Sequence, residues 1–401
     1  MLSNSRSDKR FLDNPYPDFH ESALTNSYLD SATFPNSDNG YRQLSLESSL
    51  GKKIQKASQR CVDLIHEAYF CQGGRRSDHS VYTGLSGILY SYHVLGNDIE
   101  EPWIQECLQS KSLKKRLGYL GGISGPLAFA ASYSSQKSVY LKELLALKES
   151  KLFHESPEEF LYGKAGFLFA LLLVKKNNPE FAEIDDVIES VISVIVKIGS
   201  RDQGSLYYEW HGKEYLGAAH GYAGILSSLL RARSHLSPPQ LDMIRGKIEE
   251  LILLQYPSGN FPSSISSSNG DRLVHWCHGA PGFVDLYLLS YDTFQDHKYL
   301  QIADKCLDVI WERGLLKKGF GLCHGSAGNG YAFLLAYKAT KNTTHLYRAL
   351  RFAEWCSDFE NPGVGTPDRP YSLFEGLAGN AFFLHHIQQP LSEVYFPCYS
   401  I

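Results

Sequence analysis

The stretch Cys323-His324-Gly325-Ser326-Ala327-Gly328 contains the element that decides the fold: a glycine, two residues, a second glycine and then an apolar run. The sequence holds seven copies of this Gly-x-x-Gly phrase, at residues 84–87, 122–125, 163–166, 221–224, 279–282, 325–328 and 376–379. Self-similarity at a spacing of tens of residues is typical of a repeat architecture. We therefore expect one closed unit of seven equivalent parts, although the length of 401 residues alone favours two or three domains.

Each phrase leads into a segment that is apolar on nearly every side, such as residues 167–174 and 225–230. A helix of that kind is buried all round. Between the phrases, apolar residues recur every three or four positions, which predicts amphipathic helices that cover the buried ones from outside. These helices are predicted at residues 54–68, 141–147, 184–198, 240–254, 299–311 and 346–356. The sequence thus predicts an all-α fold, an α/α toroid with about seven inner and seven outer helices.

The polar, Ser-rich residues 1–50 differ from the rest of the chain. We interpret them as an N-terminal arm lying on a toroid formed by residues 51–401. Residues 204–214, 256–272 and 361–370 are predicted loops because they are rich in Gly, Pro, Ser or Asn. The phrase glycines are expected to allow positive φ and close helix packing. The backbone N–H groups at the helix starts are expected to point into the mouth of the ring.

Composition excludes several classes of protein. A net charge of −4 gives no general attraction for nucleic acid or anionic membranes. No apolar run approaches the roughly 18 residues of a transmembrane segment, and residues 1–10 lack the apolar core of a signal peptide. The eight cysteines are widely separated, which favours reduced thiols in a cytoplasmic enzyme over a disulfide framework.

Cysteine and histidine residues, which a purely structural turn does not need, stand directly before the later phrases. His220, His278 and His324 each precede a phrase, and Cys277 and Cys323 precede two of these histidines. Two thiolates and one imidazole suit Zn²⁺, and three protein ligands leave the open position of a catalytic site. The alternative for each cysteine is a small buried core residue. On pattern alone, His278 and His324 remain rival ligands.

Two further residues beside the phrases have alternative roles. His220 has no neighbouring cysteine and either carries protons near neutral pH or bonds a helix start. Glu375 precedes the last phrase, where it complements the helix dipole. A metal that already holds two thiolates is only moderately Lewis acidic, so thiol activation is favoured over amide hydrolysis. The HExxH signature of metalloproteases is absent from the sequence.

At His220-Gly221, Trp276-Cys277-His278-Gly279 and Cys323-His324-Gly325 the sequence resembles the lanthionine synthetase C-like family, and most closely its eukaryotic, glutathione-binding branch. Similar motifs run from Asn14-Pro15-Tyr16 nearly to the C-terminus. The resemblance implies a seven-fold α/α toroid that binds one Zn²⁺ through Cys277, Cys323 and His324. In bacterial members the metal activates a peptide thiol that adds to a dehydroamino acid. In the eukaryotic branch that thiol belongs to glutathione.

The resemblance also implies roles for individual residues. His220 would protonate the enolate that forms after thiol attack. Glutathione would be bound by Lys318 and by the loop Gly365-Thr366-Pro367-Asp368, in which the contacts would come from Thr366, Pro367 and Asp368. The sequence departs from the branch at two positions: Gly365 stands where an arginine is usual, for which Arg369 would compensate, and Ile123 stands where relatives have an acid.

The resemblance predicts a zinc-dependent glutathione transferase that adds the glutathione thiolate to dehydroalanine or dehydrobutyrine in proteins or peptides. The departures at Ile123 and Gly365 motivate an alternative, a non-catalytic sensor or scaffold that binds zinc and glutathione. A zinc-dependent prenyltransferase subunit is a weaker alternative. A prenyl diphosphate needs a basic pocket, and the glycine phrases hold no clustered Arg or Lys.

Overall fold

The computed structural model describes residues 9–20, 44–72, 77–200, 204–268, 270–360 and 363–401. Within these residues the regular structure is helical, with short 3₁₀ turns, one π-helical turn and isolated bridges but no extended strand. The fifteen α-helices are α1 Ser49–His66, α2 Leu85–Val94, α3 Glu101–Leu108, α4 Ser124–Tyr133, α5 Lys137–Ala146, α6 Lys151–Glu155, α7 Lys164–Asn177, α8 Glu183–Gly199, α9 Tyr222–Arg231, α10 Pro238–Ile252, α11 Ala280–Phe294, α12 Lys298–Arg313, α13 Ser326–Thr340, α14 Thr343–Ser357 and α15 Leu377–His386.

Seven of these helices form a closed inner ring. Helices α2, α4, α7, α9, α11, α13 and α15 each begin within one glycine phrase and are buried along most of their length. Each packs on the next in this order, and α15 packs back on α2. The predicted toroid is therefore confirmed.

The other helices lie on the outside of this ring. Helices α1, α3, α5, α8, α10, α12 and α14 alternate along the chain with the inner ones, and α6 is a short additional turn. Helix α8 shows why they are outer helices: it buries Ile184, Ile188, Val191, Ile192 and Ile195, whereas acidic residues occupy its first turn. One apolar face covers an inner helix and the opposite face meets solvent. The sequence analysis predicted six of the seven outer helices and missed the short α3.

The phrase glycines are required by close packing more than by backbone conformation. Among the first glycines of the phrases only Gly279 has a positive φ, of 118°. The expectation of positive φ is therefore confirmed there and is wrong for the others. A side-chain carbon on Gly221 would collide with the backbone of Tyr215, and one on Gly224 with the carbonyl oxygen of Ala218.

The prediction that the first N–H groups of the inner helices point into the mouth is wrong. In α9 the Tyr222 N–H donates to the Tyr215 carbonyl (3.1 Å) and the Ala223 N–H donates to the Leu216 carbonyl (2.9 Å). Carbonyls seven residues upstream accept in the same way at the starts of α7, α13 and α15. These bonds tie each inner helix to the loop before it. They thereby fix the loops that carry the candidate site residues.

Aromatic side chains fill the axis of the ring below the site. Tyr399, from the segment after α15, packs edge-on against Trp276 and Phe160, with ring centroids 5.0 Å apart in both pairs. Phe396 stacks on the other side of Trp276 at 5.8 Å. Because Trp276 directly precedes Cys277, this packed floor fixes the position of that cysteine.

The described part of the arm, residues 9–20, lies against the outer helices. The Leu12 N–H donates to the Leu315 carbonyl, the Asn14 amide donates to the Trp311 carbonyl, and the Tyr347 hydroxyl donates to the Pro17 carbonyl, each at 2.8 Å. Residues 1–8 and 21–43 lie outside the described residues, so the predicted division at residue 50 stays a prediction. None of the helices in the described part of the chain has the length and apolar character to cross a membrane.

Candidate metal centre and adjoining histidine

Three of the residues predicted from the sequence meet at one end of the inner ring. Cys277 lies just before α11, and Cys323 and His324 lie just before α13, the neighbouring inner helix. One ligating atom from each residue lies within 4.8 Å of the other two. Cys323 is buried, whereas Cys277 and His324 are partly exposed to the mouth. We call these three residues the Cys–His cluster.

Neighbouring repeats hold Cys323 in place. Its N–H donates to the Phe374 carbonyl (2.7 Å), and its Sγ accepts a hydrogen bond from the Tyr82 hydroxyl (2.9 Å). Burial and the two nearby cysteines raise the pKa of Tyr82 well above its usual value, which keeps the hydroxyl protonated as a donor. Tyr82 also stacks on Phe374, with ring centroids 5.1 Å apart. The first and last repeats thus orient a residue that belongs to the sixth.

The chemistry of the Cys–His cluster fits a zinc ion. Burial, together with the neighbouring Cys277, raises the pKa of the Cys323 thiol well above its ordinary value. Two adjacent sulfurs, one of them on the buried Cys323, therefore ionise together only where a cation compensates their charge. Two sulfurs and one imidazole nitrogen at this separation are a donor set that Zn²⁺ prefers.

His278, the rival ligand, lies outside this group of ligating atoms. Its ring instead lies 5.9 Å from that of Tyr215 and 6.4 Å from that of His220, measured between centroids. Burial and the neighbouring histidines lower the pKa of His278 to about 4, so its ring is neutral near pH 7. His278 therefore contacts the ring of His220 and is not part of the Cys–His cluster.

His220 is held by a buried carboxylate that the sequence analysis did not identify. Its Nδ1 lies 2.8 Å from Glu159 Oε2, and the Glu159 side chain is only 1% exposed. Glu159 also accepts the backbone N–H groups of Leu161 (2.8 Å) and Tyr162 (2.6 Å). An acceptor carboxylate at Nδ1 requires the proton on that nitrogen and leaves Nε2 for other chemistry. His220 is therefore not merely a helix-capping residue.

Aromatic rings fix the plane of this histidine. Trp210 stacks on His220 with centroids 4.3 Å apart and an interplanar angle of 22°, and Tyr162 lies 5.9 Å away. The His220 side chain is 17% exposed. The structure thus presents a partly accessible imidazole, with one nitrogen held and its ring clamped, next to the Cys–His cluster.

The residues predicted to bind glutathione lie on another side of the cluster. The positive charges of Lys318 and Arg10 add to burial in lowering the pKa of His275 to about 3. Lys318 also acts electrostatically on His324. Both cations are therefore near His275, and Lys318 is also near His324 of the Cys–His cluster. Arg10 belongs to the arm, where its carbonyl accepts the N–H of Lys317 (3.2 Å).

The loop before the last phrase packs beside Lys318. The Gly365 N–H donates to the Lys317 carbonyl (2.8 Å). Gly365, Thr366 and Pro367 line a cavity of about 410 Å³. Asp368 and Arg369 are exposed at the surface of the loop.

Sequence reasoning missed Glu159, Tyr82 and Arg10. It drew attention to cysteines and histidines one or two positions before a phrase, whereas Glu159 stands four positions before Gly163. The stretch Tyr208-Glu209-Trp210 is one of the motifs on which the resemblance rests, so a signal for Trp210 was present. Ile123, where relatives carry an acid, is buried at the start of α4. The carboxylate beside His220 comes from the third repeat instead.

Comparisons with known proteins agree with this geometry. The family model described as lanthionine synthetase C-like protein matches residues 102–401. A protein named glutathione S-transferase LANCL1, from Danio rerio, is 34% identical over 419 aligned positions, which cover 98% of this chain and 100% of that protein. The solved structure of nisin cyclase superposes with a TM-score of 0.61 at 17% identity, covering 83% of this chain and 93% of its own. The chain therefore belongs to the lanthionine synthetase C-like family.

Proposed function

We propose that the protein is a zinc-dependent glutathione transferase that adds the glutathione thiolate to dehydroalanine or dehydrobutyrine residues in proteins or peptides. The observation that carries the proposal is that the Cys–His cluster and a histidine held by a buried carboxylate both adjoin His278, which directly follows Cys277 and whose ring lies 6.4 Å from that of His220. The relative named glutathione S-transferase LANCL1 supports glutathione as a substrate. The eight cysteines, all free in the structure, support a cytoplasmic location.

Cys277, Cys323 and His324 would hold the zinc ion, and Tyr82 would stabilise the Cys323 thiolate through its hydroxyl. When bound there, zinc supplies a Lewis acid that lowers the pKa of an incoming thiol and keeps it in the thiolate form. Three protein donors leave one position for that sulfur. The partial exposure of Cys277 and His324 leaves this side of the cluster accessible from the mouth.

His220 would supply the proton that completes the addition. The glutathione sulfur forms a bond to the β-carbon of the dehydroamino acid, and the electron pair of the C=C bond moves toward the α-carbon and its carbonyl. The α-carbon then takes a proton from Nε2 of His220, which regains one from the next glutathione thiol. Glu159 orients the ring and stabilises its charged form through Nδ1.

Glutathione carries two carboxylates and one ammonium group, and the mouth offers matching charges. Lys318 and Arg10 would bind the carboxylates, because both act electrostatically on His275 beside the cluster. Asp368 would bind the ammonium group, and Thr366 and Pro367 would contact the peptide backbone from the wall of their cavity. Arg10 would supply the cation that Gly365 does not provide, a role that the sequence analysis gave to Arg369.

The proposal is tested by incubating the protein with a dehydroalanine peptide and glutathione and measuring the peptide by mass spectrometry. We expect a mass gain of one glutathione, lost in Cys323→Ala and retained in Cys71→Ala, which removes an exposed thiol outside the cluster. Elemental analysis should find one zinc per chain in the wild type and in Cys71→Ala, and little in Cys277→Ala. Glutathione binding without turnover on any dehydroamino peptide would instead establish the sensor alternative.

A further inference from the structure

Two cavities beside the candidate site share the same cationic edge. One, of about 300 Å³, is lined by Tyr82, Lys115, Arg116 and Tyr162 among others. The second, of about 560 Å³, is lined by Lys115, Arg116, Tyr162 and Trp210 among others. The two cavities share Lys115, Arg116 and Tyr162, and we call them together the Arg116 groove. It runs from Tyr82, which contacts Cys323, to Trp210, which stacks on His220.

The cations of this groove are not neutralised within the described structure. Lys115 and Arg116 are exposed, and neither forms an ion pair with a carboxylate among the residues that the structure describes. The two acidic residues that line the cavities have other partners. Asp78 accepts hydrogen bonds from the Ser80 N–H and the Thr83 hydroxyl, and Glu155 pairs with Lys151 at 3.3 Å. Lys151 compensates Glu155, whereas the donors to Asp78 are neutral and leave its charge in place, so these groups together carry one net positive charge.

Arg116 is positioned, unlike an ordinary surface arginine. Its guanidinium lies 4.1 Å from the centroid of the Tyr162 ring, a cation–π contact. Tyr162 in turn lies 5.9 Å from the ring of His220. These two distances place the guanidinium within about 10 Å of His220, which is roughly three residues of extended chain.

The residues assigned to glutathione differ from those that line the Arg116 groove. Lys318, Arg10 and the loop of Thr366 and Pro367 lie on the side assigned above to glutathione. The Arg116 groove includes Tyr162 and Trp210, whose rings contact that of His220. If His220 supplies the proton, a polypeptide that carries the dehydroamino acid would lie along these two rings.

We infer that the Arg116 groove selects acceptor chains with an anionic side chain, a carboxylate or a phosphate, within about three residues of the dehydroamino acid. This inference rests on the proposed function, because it assigns the acceptor to that reaction. Lys115 and Arg116 would be specificity residues that attract the acceptor and set its register. They take no part in bond formation.

The test uses a panel of dehydroalanine peptides that differ only at the second residue from the dehydroalanine, which is Glu, phosphoserine, Gln or Lys. We expect kcat/KM for the Glu and phosphoserine peptides to exceed that for the Gln peptide by about three- to tenfold, because exposed ion pairs contribute modestly. The Lys peptide should be slowest. Preference for only one of the two anionic peptides identifies which anion the groove binds.

Variants test whether the Arg116 groove causes the preference for anionic peptides. In the double variant Lys115→Gln/Arg116→Gln the four peptides should react at similar rates with an unchanged KM for glutathione. The control Lys142→Gln/Lys197→Gln removes the same charge from exposed positions on the outer helices α5 and α8 and should keep the preference. Arg116→Glu should favour the Lys peptide, and added salt should weaken every preference.

The outcomes separate the inference from the proposed function. Equal wild-type rates on all four peptides, or a preference that survives in the double variant, would overturn the inference and leave the glutathione transferase intact. A raised KM for glutathione in the double variant would also overturn it, since the groove would then belong to glutathione. If no peptide is modified, the proposed function itself is wrong and the inference falls with it.

Discussion

Replacing Glu159 by glutamine tests the proposed proton transfer by His220 while leaving the proposed metal ligands in place. The Glu159 carboxylate is buried and lies 2.8 Å from Nδ1 of His220. Glutamine has nearly the same shape, so Glu159→Gln removes the charge without opening a cavity. The charged form of His220 then loses the charge-assisted hydrogen bond that stabilises it.

The expected size of the effect follows from that one contact. A hydrogen bond to a charged group contributes about 1.5–3 kcal/mol, and about 1.4 kcal/mol corresponds to a tenfold change in rate. We therefore expect kcat for Glu159→Gln to fall about 10- to 150-fold, with partial recovery in Glu159→Asp. Because Glu159 acts through His220, adding Glu159→Gln to His220→Asn should cause little further loss.

The assay is the initial rate of glutathione addition to a dehydroalanine peptide, with the KM for glutathione and the bound zinc measured on the same preparations. Glu159 also accepts the N–H groups of Leu161 and Tyr162, so its replacement should lower the free energy of unfolding by about 1–3 kcal/mol. Thermal denaturation therefore sets a temperature at which all variants are folded. Wild-type kcat in folded, zinc-loaded Glu159→Gln would refute the role assigned to this carboxylate.

Three further predictions concern metal retention, acid stability and packing. Tyr82→Phe removes the hydroxyl that donates to Cys323 and should weaken zinc affinity about tenfold in a chelator competition; unchanged affinity would contradict that role. Burial lowers the pKa of His386 to about 3, whereas the same histidine in the unfolded protein has a pKa of about 6.5. Below about pH 6.5 the unfolded protein therefore binds more protons than the folded one, and stability is lost as the pH falls from about 6.5 toward 3. The urea midpoint of His386→Asn should therefore fall less between pH 7 and pH 5 than that of the wild type, and equal falls would refute this. Gly224→Ala should destabilise the fold by about 2 kcal/mol or more, because the added methyl group collides with a backbone carbonyl. Gly246→Ala, on α10 with open space around it, should instead stabilise the fold by about 0.5–1 kcal/mol. Similar thermal midpoints for the two variants would contradict the packing argument.

The ring and the Cys–His cluster could be predicted from the sequence because both follow from the repeat. Equivalent positions in equivalent repeats meet at the same end of a closed ring, so Cys277 and Cys323, each placed shortly before a phrase, had to approach one another. The choice of His324 over His278 could not be made in that way. Both follow a cysteine, and the structure separates them by the direction of each ring.

The sequence could not predict which side chains of different loops contact one another. Glu159 reaches His220 from four positions before its phrase, and Tyr82 reaches Cys323 from two positions before its own. The repeat fixes where each loop lies, but which way a side chain turns within that loop depends on three-dimensional packing. The prediction for the first N–H groups of the inner helices was wrong for a related reason. The loop carbonyls seven residues upstream satisfy them, and hydrophobic periodicity carries no information on such bonds.

Of the two sequence departures that favoured a non-catalytic protein, the one at Ile123 loses its force in the structure. Ile123 is buried at the start of α4, while Glu159 places a fixed carboxylate against His220. A sensor that only binds zinc and glutathione has no need of a histidine whose proton is positioned by a buried acid. Burying that acid costs free energy, which its three hydrogen bonds only offset. The pairing is therefore best explained by a proton that moves, and this favours the enzyme over the sensor.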